Sequence, residues 1–178
     1  MGTVQDVDTV LEAIRLLKED DSVFFLFAGH GNKLEALKQS IAREGLHNAQ
    51  VLGYLHGQDY RDALEISSAA LISLEAGTTG LCVPSKTYSY MMEGIPLLAI
   101  MDRCDLVADI ESGAGKAFHN GESDRLAREI LAMRDDPQSV QAMGDRCRKL
   151  YLQKYTPEVC LPQYEALFRG LLGPGGRA

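Results

Sequence analysis

With 178 residues and 19.5 kDa, the chain has the size of one domain and is long enough to bury a core. Its 46% apolar and 24% charged residues exclude a disordered protein. A net charge of −7, with no basic run longer than two residues, opposes binding of nucleic acid.

In chain order, Val7, Val10, Leu11, Ile14 and Leu17 recur at helical spacing within residues 5–19. Residues 22–28, centred on Val23 to Phe27, read as a strand buried on both faces, closed by Gly29-His30-Gly31. A helix over 32–44 and a short strand over 50–52, ended by Gly53, come next. A helix over 58–68 leads into a third strand, 69–74, and then a loop rich in Gly and Thr. Pro84 or Ser85 opens a helix that Gly94 ends, and residues 95–100 form the fourth strand. A short helix over 105–112 and a weak strand over 116–118 precede helices at 122–134, 138–154 and 157–172. The tail 173–178 reads as frayed. Strands separated by helices imply an α/β fold with a parallel, Rossmann-like sheet covered on both faces. Residues 1–172 therefore read as a single domain.

The longest unbroken apolar run, Val23 to Ala28, is six residues, far short of the ~20 needed to cross a bilayer. The N-terminus shows no basic-then-apolar export pattern, so a cytoplasmic location is expected. Cys82, Cys104, Cys147 and Cys160 have neither CxxC nor metal-ligand spacing. They read as reduced thiols, with no metal and no cofactor expected.

In an open parallel sheet, ligands bind beyond the carboxyl ends of the strands. Candidate sites are therefore the turns Gly29-His30-Gly31, Gly53-Tyr54-Leu55, Glu75 to Ser85 and Met101 to Cys104. Two glycines at 29 and 31 let the backbone approach a ligand, although a plain βα turn looks the same. Leu34 stands where a dinucleotide fingerprint needs its third glycine, which excludes a standard NAD site. Ahead of Thr87-Tyr88-Ser89-Tyr90, Ser85 and Lys86 add a hydroxyl and an ammonium to a helix N-terminus. That is equipment for a diphosphate, or simply an N-cap serine beside a solvated lysine. His30 and His56 follow strand ends and can face the crevice, whereas His47 and His119 read as solvated. There is no GxSxG, no P-loop and no HExxH, so the catalytic residues stay unassigned.

The series FFLFAGHGNKLEALKQSIAREGLHNAQVLGYL, AALISL and VPSKTYSYMMEGIPLLAI resembles the C-terminal half of a GT-B glycosyltransferase. More narrowly, it is similar to glycosyltransferase family 4, also called group 1, in the branch that builds bacterial surface polysaccharides. Asp136-Pro137 with Met143-Gly144 matches a later family helix, so the similarity runs over nearly the whole chain. The resemblance implies a retaining hexosyltransferase-type enzyme whose C-terminal domain binds the nucleotide-diphosphate sugar. The acceptor would bind a separate N-terminal domain. Carried over by position, Gly29, His30 and Gly31 line the donor cleft, Tyr54 and Leu55 lie near the base, and Ser85 and Lys86 face the diphosphate. Peripheral membrane association through the other half and homodimerisation are further partner expectations.

Two features depart from that pattern. The family's two glutamates, eight positions apart, would fall at Leu81 and Ser89, and neither is acidic. Ser89, at the second place, is kept among the substrate-binding candidates. Family members also begin with a strand ending in a Gly-Asn-Gly type of turn, whereas this chain begins Met1-Gly2-Thr3-Val4-Gln5. The expectation is that the family's first strand, central to the sheet, is lacking, and that the strands at 22–28 and 69–74 pair directly within one chain. The leading reading is a donor-binding domain without its acceptor half, inactive alone. The alternatives are a non-catalytic nucleotide-binding or interaction module and an epimerase-like domain.

Overall fold

The computed structural model describes residues 4–172, so the tail read as frayed lies outside the described residues. Five strands alternate with helices: α1 (Asp8–Leu16), β1 (Phe25–Ala28), α2 (Asn32–Glu44), β2 (Ala49–Leu52), α3 (Gly57–Glu65) and β3 (Ala70–Ser73). They continue with α4 (Lys86–Glu93), β4 (Leu97–Ile100), α5 (Asp105–Asp109), β5 (Gly115–Phe118), α6 (Ser123–Asp135), α7 (Pro137–Lys154) and α8 (Pro157–Leu172). A π turn over Ile110–Ala114 joins α5 to β5. Every strand pair is parallel, as the alternation with helices requires.

The strands form two sheets, β1-β2 and β3-β4-β5. Among the described residues no strand lies between β1 and β3, and these two do not pair with each other. The expected direct pairing is therefore corrected. The reason is visible at Glu75, just past β3. The Leu74 amide donates to Ile100 in β4, whereas the next amide, Glu75, points to the opposite edge and donates to the Val4 carbonyl at 2.7 Å. Lys33, in the first turn of α2, donates to the Gln5 carbonyl at 2.7 Å and pairs with the Glu75 carboxylate. Residues 4–5 thus take the backbone bond that Glu75 offers on the free side of β3, and they tie that end to α2 through Lys33.

Asp6 anchors this entry. Its carboxylate, 4% exposed, accepts from the Thr9 amide at 3.0 Å, the Thr9 hydroxyl at 2.6 Å and Asn120 Nδ2 at 2.6 Å. Asn120 also donates to the Leu74 carbonyl at 2.8 Å, so the start of α1 is bonded both to β3 and to the turn after β5.

β1 departs from the expectation of burial on both faces. Phe25 and Phe27 are buried, but Phe24 is 59% exposed and Leu26 and Ala28 are half-buried. An unbroken apolar run cannot reveal that one face is open. β4 does match, with all four residues buried. Leu98 and Ile100 join a core built from α1, β1, α2 and α6, while Leu97 and Ala99 join one built from β3, α4, α5 and α7.

Two glycines set close backbone contacts in the second core. A Cβ on Gly115 would lie 2.0 Å from the Leu97 carbonyl oxygen, and one on Gly144 in α7 would lie 2.4 Å from the Gly94 carbonyl oxygen. Gly144→Ala is expected to destabilise the protein by about 1–3 kcal/mol, because backbone must shift to admit one methyl. Gly170→Ala in α8, where the new methyl meets open space, should be neutral or stabilise by about 0.5–1 kcal/mol. Urea denaturation of the two variants checks the opposite signs.

Candidate functional site

The predicted residues gather at the carboxyl ends of the strands in two groups. The first stands where β1 and β2 end. Gly29 and Gly31 take φ +126° and +129°, a region open to glycine, and reverse the chain between β1 and α2. The Gly29 amide donates to the Gly53 carbonyl at 3.1 Å, joining the two turns. That bond brings the exposed His30 ring within 5.7 Å of Tyr54, and Tyr54 lies 4.6 Å from His56, all centroid to centroid. Tyr54 is 63% exposed, so this ring ladder faces solvent and adds little to the core. Leu55 is half-buried beside it.

The second group stands at the start of α4. Ser85 is the N-cap, but its backbone is already helical at φ −59°, ψ −27°, and its hydroxyl makes no capping bond. Ser85 thus holds the N-cap place without capping through its side chain, a bond that goes with an extended backbone there. The first turn is closed by backbone instead: the Thr87 amide donates to the Pro84 carbonyl at 3.0 Å and the Tyr88 amide to the Ser85 carbonyl at 3.3 Å. Ser85 and Lys86 are exposed, and Ser89, one turn on, is half-buried. Thr87 is fully buried, and its Oγ1 has no hydrogen-bond partner in the protein.

Electrostatics separates α4 from its neighbours. Asp8, Glu35, Asp59, Asp105, Asp124 and Glu158 place an acid in the first turn of α1, α2, α3, α5, α6 and α8. α7 is capped by Asp136, which accepts the Ser139 amide at 3.0 Å. α4 has neither, and carries Lys86 instead. No acid of its own offsets the positive dipole end, which favours an external anion there.

The two groups are linked through an ion pair of Lys33 and Glu75; Glu75 opens a candidate turn, but neither Lys33 nor the pairing was expected. Lys33 follows the Gly29–Gly31 turn, and Glu75 begins the loop that leads to α4. The pair is 42 residues apart, and such spacing leaves no local signal. Leu81, at the place of the first family glutamate, is 83% exposed. Glu93 is exposed as well. A cavity of about 120 Å³ between α1 and α2, lined by Val7, Leu11, Lys33 and Leu37, contains none of the predicted site residues and is too small for a nucleotide. The candidate residues themselves are exposed or half-buried. Among the described residues there is no cluster of three or more potential metal ligands, and no helix is long and apolar enough to cross a membrane.

Comparison with known proteins places this arrangement. The model of the family described as glycosyl transferases group 1 matches residues 1–150. The probable glycosyltransferase WbjE of Pseudomonas aeruginosa is 27% identical over 172 residues, which are 97% of this chain and 43% of that protein. Among solved structures, a point mutant of S. aureus TarM in complex with fondaparinux, α-GlcNAc-glycerol and UDP superposes with a TM-score of 0.75 at 19% identity. The match covers 93% of this chain and 33% of TarM. The C-terminal domain of a glycosyl transferase group 1 family protein (LpcC) from Francisella tularensis superposes with a TM-score of 0.63 at 15% identity. There 88% of this chain and 84% of that one are covered. These likenesses show the fold, an α/β Rossmann-like domain of the GT-B kind. The chain spans less than half the length of WbjE and of TarM.

Thr87→Val replaces the orphan hydroxyl with a methyl of the same shape. Without ligand it is expected to raise stability by about 1 kcal/mol, because a buried polar group without a partner is costly. Thermal denaturation of the two proteins side by side checks this.

Proposed function

Because this chain belongs to the glycosyl transferases group 1, we propose that it is the nucleotide-diphosphate-sugar-binding domain of a retaining glycosyltransferase, whose acceptor binds elsewhere in the longer enzyme. The observation that carries this reading is the uncompensated N-terminus of α4, with Lys86 and exposed Ser85 and without an acid in its first turn. A positive dipole end, a hydroxyl and an ammonium suit a diphosphate. TarM, of the same fold, was solved with UDP, which supports a nucleotide as the ligand. The ladder of His30, Tyr54 and His56 offers ring faces on which a base can stack. Gly29 and Gly31 keep side chains out of the donor cleft, with Leu55 near the base and Ser89 among the residues that meet the nucleotide sugar.

The chemistry asked of these residues is electrostatic. Cleaving the bond between sugar and diphosphate puts charge on the departing phosphate oxygens. Ser85 and Lys86, at the dipole end of α4, stabilise that charge as it develops. A fixed donor set needs no reorganisation during the step.

A second reading, a nucleotide-binding module without catalysis, draws support from Leu81 and Ser89, which put no carboxylate where the family carries two. It predicts binding without transfer even in the longer protein.

Titration with UDP, GDP and ADP by calorimetry tests the proposal. At least one should bind, and Lys86→Ala should weaken it by about 1–3 kcal/mol if the ammonium meets phosphate in a partly dry cleft. The matching nucleoside should be affected little. Unchanged diphosphate affinity in a folded variant would remove Lys86 from the site. The 178-residue chain alone is expected to transfer no sugar, because reaction needs donor and acceptor aligned.

A further inference from the structure

The loop from Glu75 to Ser85 delivers the N-terminus of α4, yet little of it is held by burial. Leu81 is 83% exposed and Val83 54% exposed, and the backbone turns at Gly77 and Gly80 with φ +75° and +91°. Internal bonds close the first part: the Thr78 amide at 3.1 Å and hydroxyl at 2.6 Å both donate to the Glu75 carbonyl, and the Leu81 amide donates to the Thr78 carbonyl at 3.0 Å. None of these fixes the loop relative to the sheet.

Asp102 does. Its carboxylate Oδ2 accepts the Gly77 amide at 2.8 Å, and its own amide donates to Thr79 Oγ1 at 3.2 Å. The two bonds bracket residues 77–79, so this part of the loop is held to Asp102 at two points. Asp102 itself stands on fixed backbone, because the buried Met101 beside it donates to the Phe118 carbonyl at 3.1 Å. The loop is therefore referenced to β4 and β5, the most buried part of the sheet.

We propose that Asp102 is a positioning residue for ligand binding: by clasping Gly77 and Thr79 it presets the loop, so that Ser85 and Lys86 meet a diphosphate already in place, without touching it. This rests on the donor-binding reading above. A loop that must be ordered on binding costs affinity, and a preset one does not.

The test uses the whole chain with UDP, GDP and ADP as probes, measured by calorimetry, together with hydrogen exchange of the Gly77 amide. Asp102→Ala is expected to weaken the tightest probe about tenfold and to speed Gly77 exchange, with a small change in thermal midpoint. Asp102→Asn, which keeps an acceptor oxygen, should stay within about twofold of the original, as a clasp requires and a charge effect does not. Thr79→Val, which removes the second half of the clasp, should weaken binding in the same direction and decides the matter if Asp102→Ala does not fold. Should none of the three probes bind the unmodified chain, the donor reading falls and the positioning role with it. Should a probe bind with unchanged affinity to Asp102→Ala, or should the alanine and asparagine variants weaken it equally, only the positioning role is overturned.

Discussion

The structure depends on one strand that is closed on all sides. Leu97, Leu98, Ala99 and Ile100 of β4 are each 2% exposed or less. Each lies between β3 and β5, so every backbone group has a neighbour, and the side chains alternate between two cores. A central parallel strand has no polar face to spare, which is why this stretch carries only Leu, Ala and Ile. The cores above and below are joined through it. Helices α1, α2 and α6 reach the rest of the molecule by packing around Leu98 and Ile100, and α4, α5 and α7 by packing around Leu97 and Ala99.

The second sheet is held differently. β1 and β2 share no backbone ladder with β3, so they are joined to it through side chains and through residues 4–6. Phe25 and Phe27 pack in the same core as Leu98 and Ile100, and the carbonyls of Val4 and Gln5 receive Glu75 and Lys33. Polar bonds act at the crevice end and apolar packing acts below. Lys33, just past the Gly29–Gly31 turn, is bonded to Glu75, just past β3.

Much of this was legible in the sequence. The helix 32–44 shows its full length, because Leu34, Leu37 and Ile41 keep strict helical spacing and Gly31 and Gly45 bound it. Even the weak strand at 116–118 is real, one residue longer at Gly115, where only glycine fits against Leu97. The candidate turns are legible because fold class alone points to the carboxyl ends of the strands as the place to look. What stayed hidden depends on partners distant in sequence. Asp102 falls in a candidate turn, but its bond to the loop shows only when Gly77 is seen to donate to it from 25 positions away. Thr87 reads as a polar residue in a helix, and only the fold shows it buried without a partner.

The arrangement of α4 explains how an uncompensated helix end is tolerated. Its C-terminal end is over-determined: Gly94 adopts φ +71°, its carbonyl meets the backbone of Gly144 too closely for a side chain, and the Arg148 guanidinium donates to the Met92 carbonyl. A cation on the last turn matches the negative end of the dipole. Cys147, whose thiol burial pushes up to about 12, donates to the Ile95 carbonyl at 3.3 Å, so α7 seals the exit of α4 with a neutral donor as well. The helix is thus anchored from behind. Its first turn needs no side-chain cap to stay in place, which leaves the Ser85 hydroxyl and the Lys86 ammonium without a structural duty. A helix secured at its far end and left open at its near end suits the proposed diphosphate site, because a fixed dipole can stabilise charge without first having to turn.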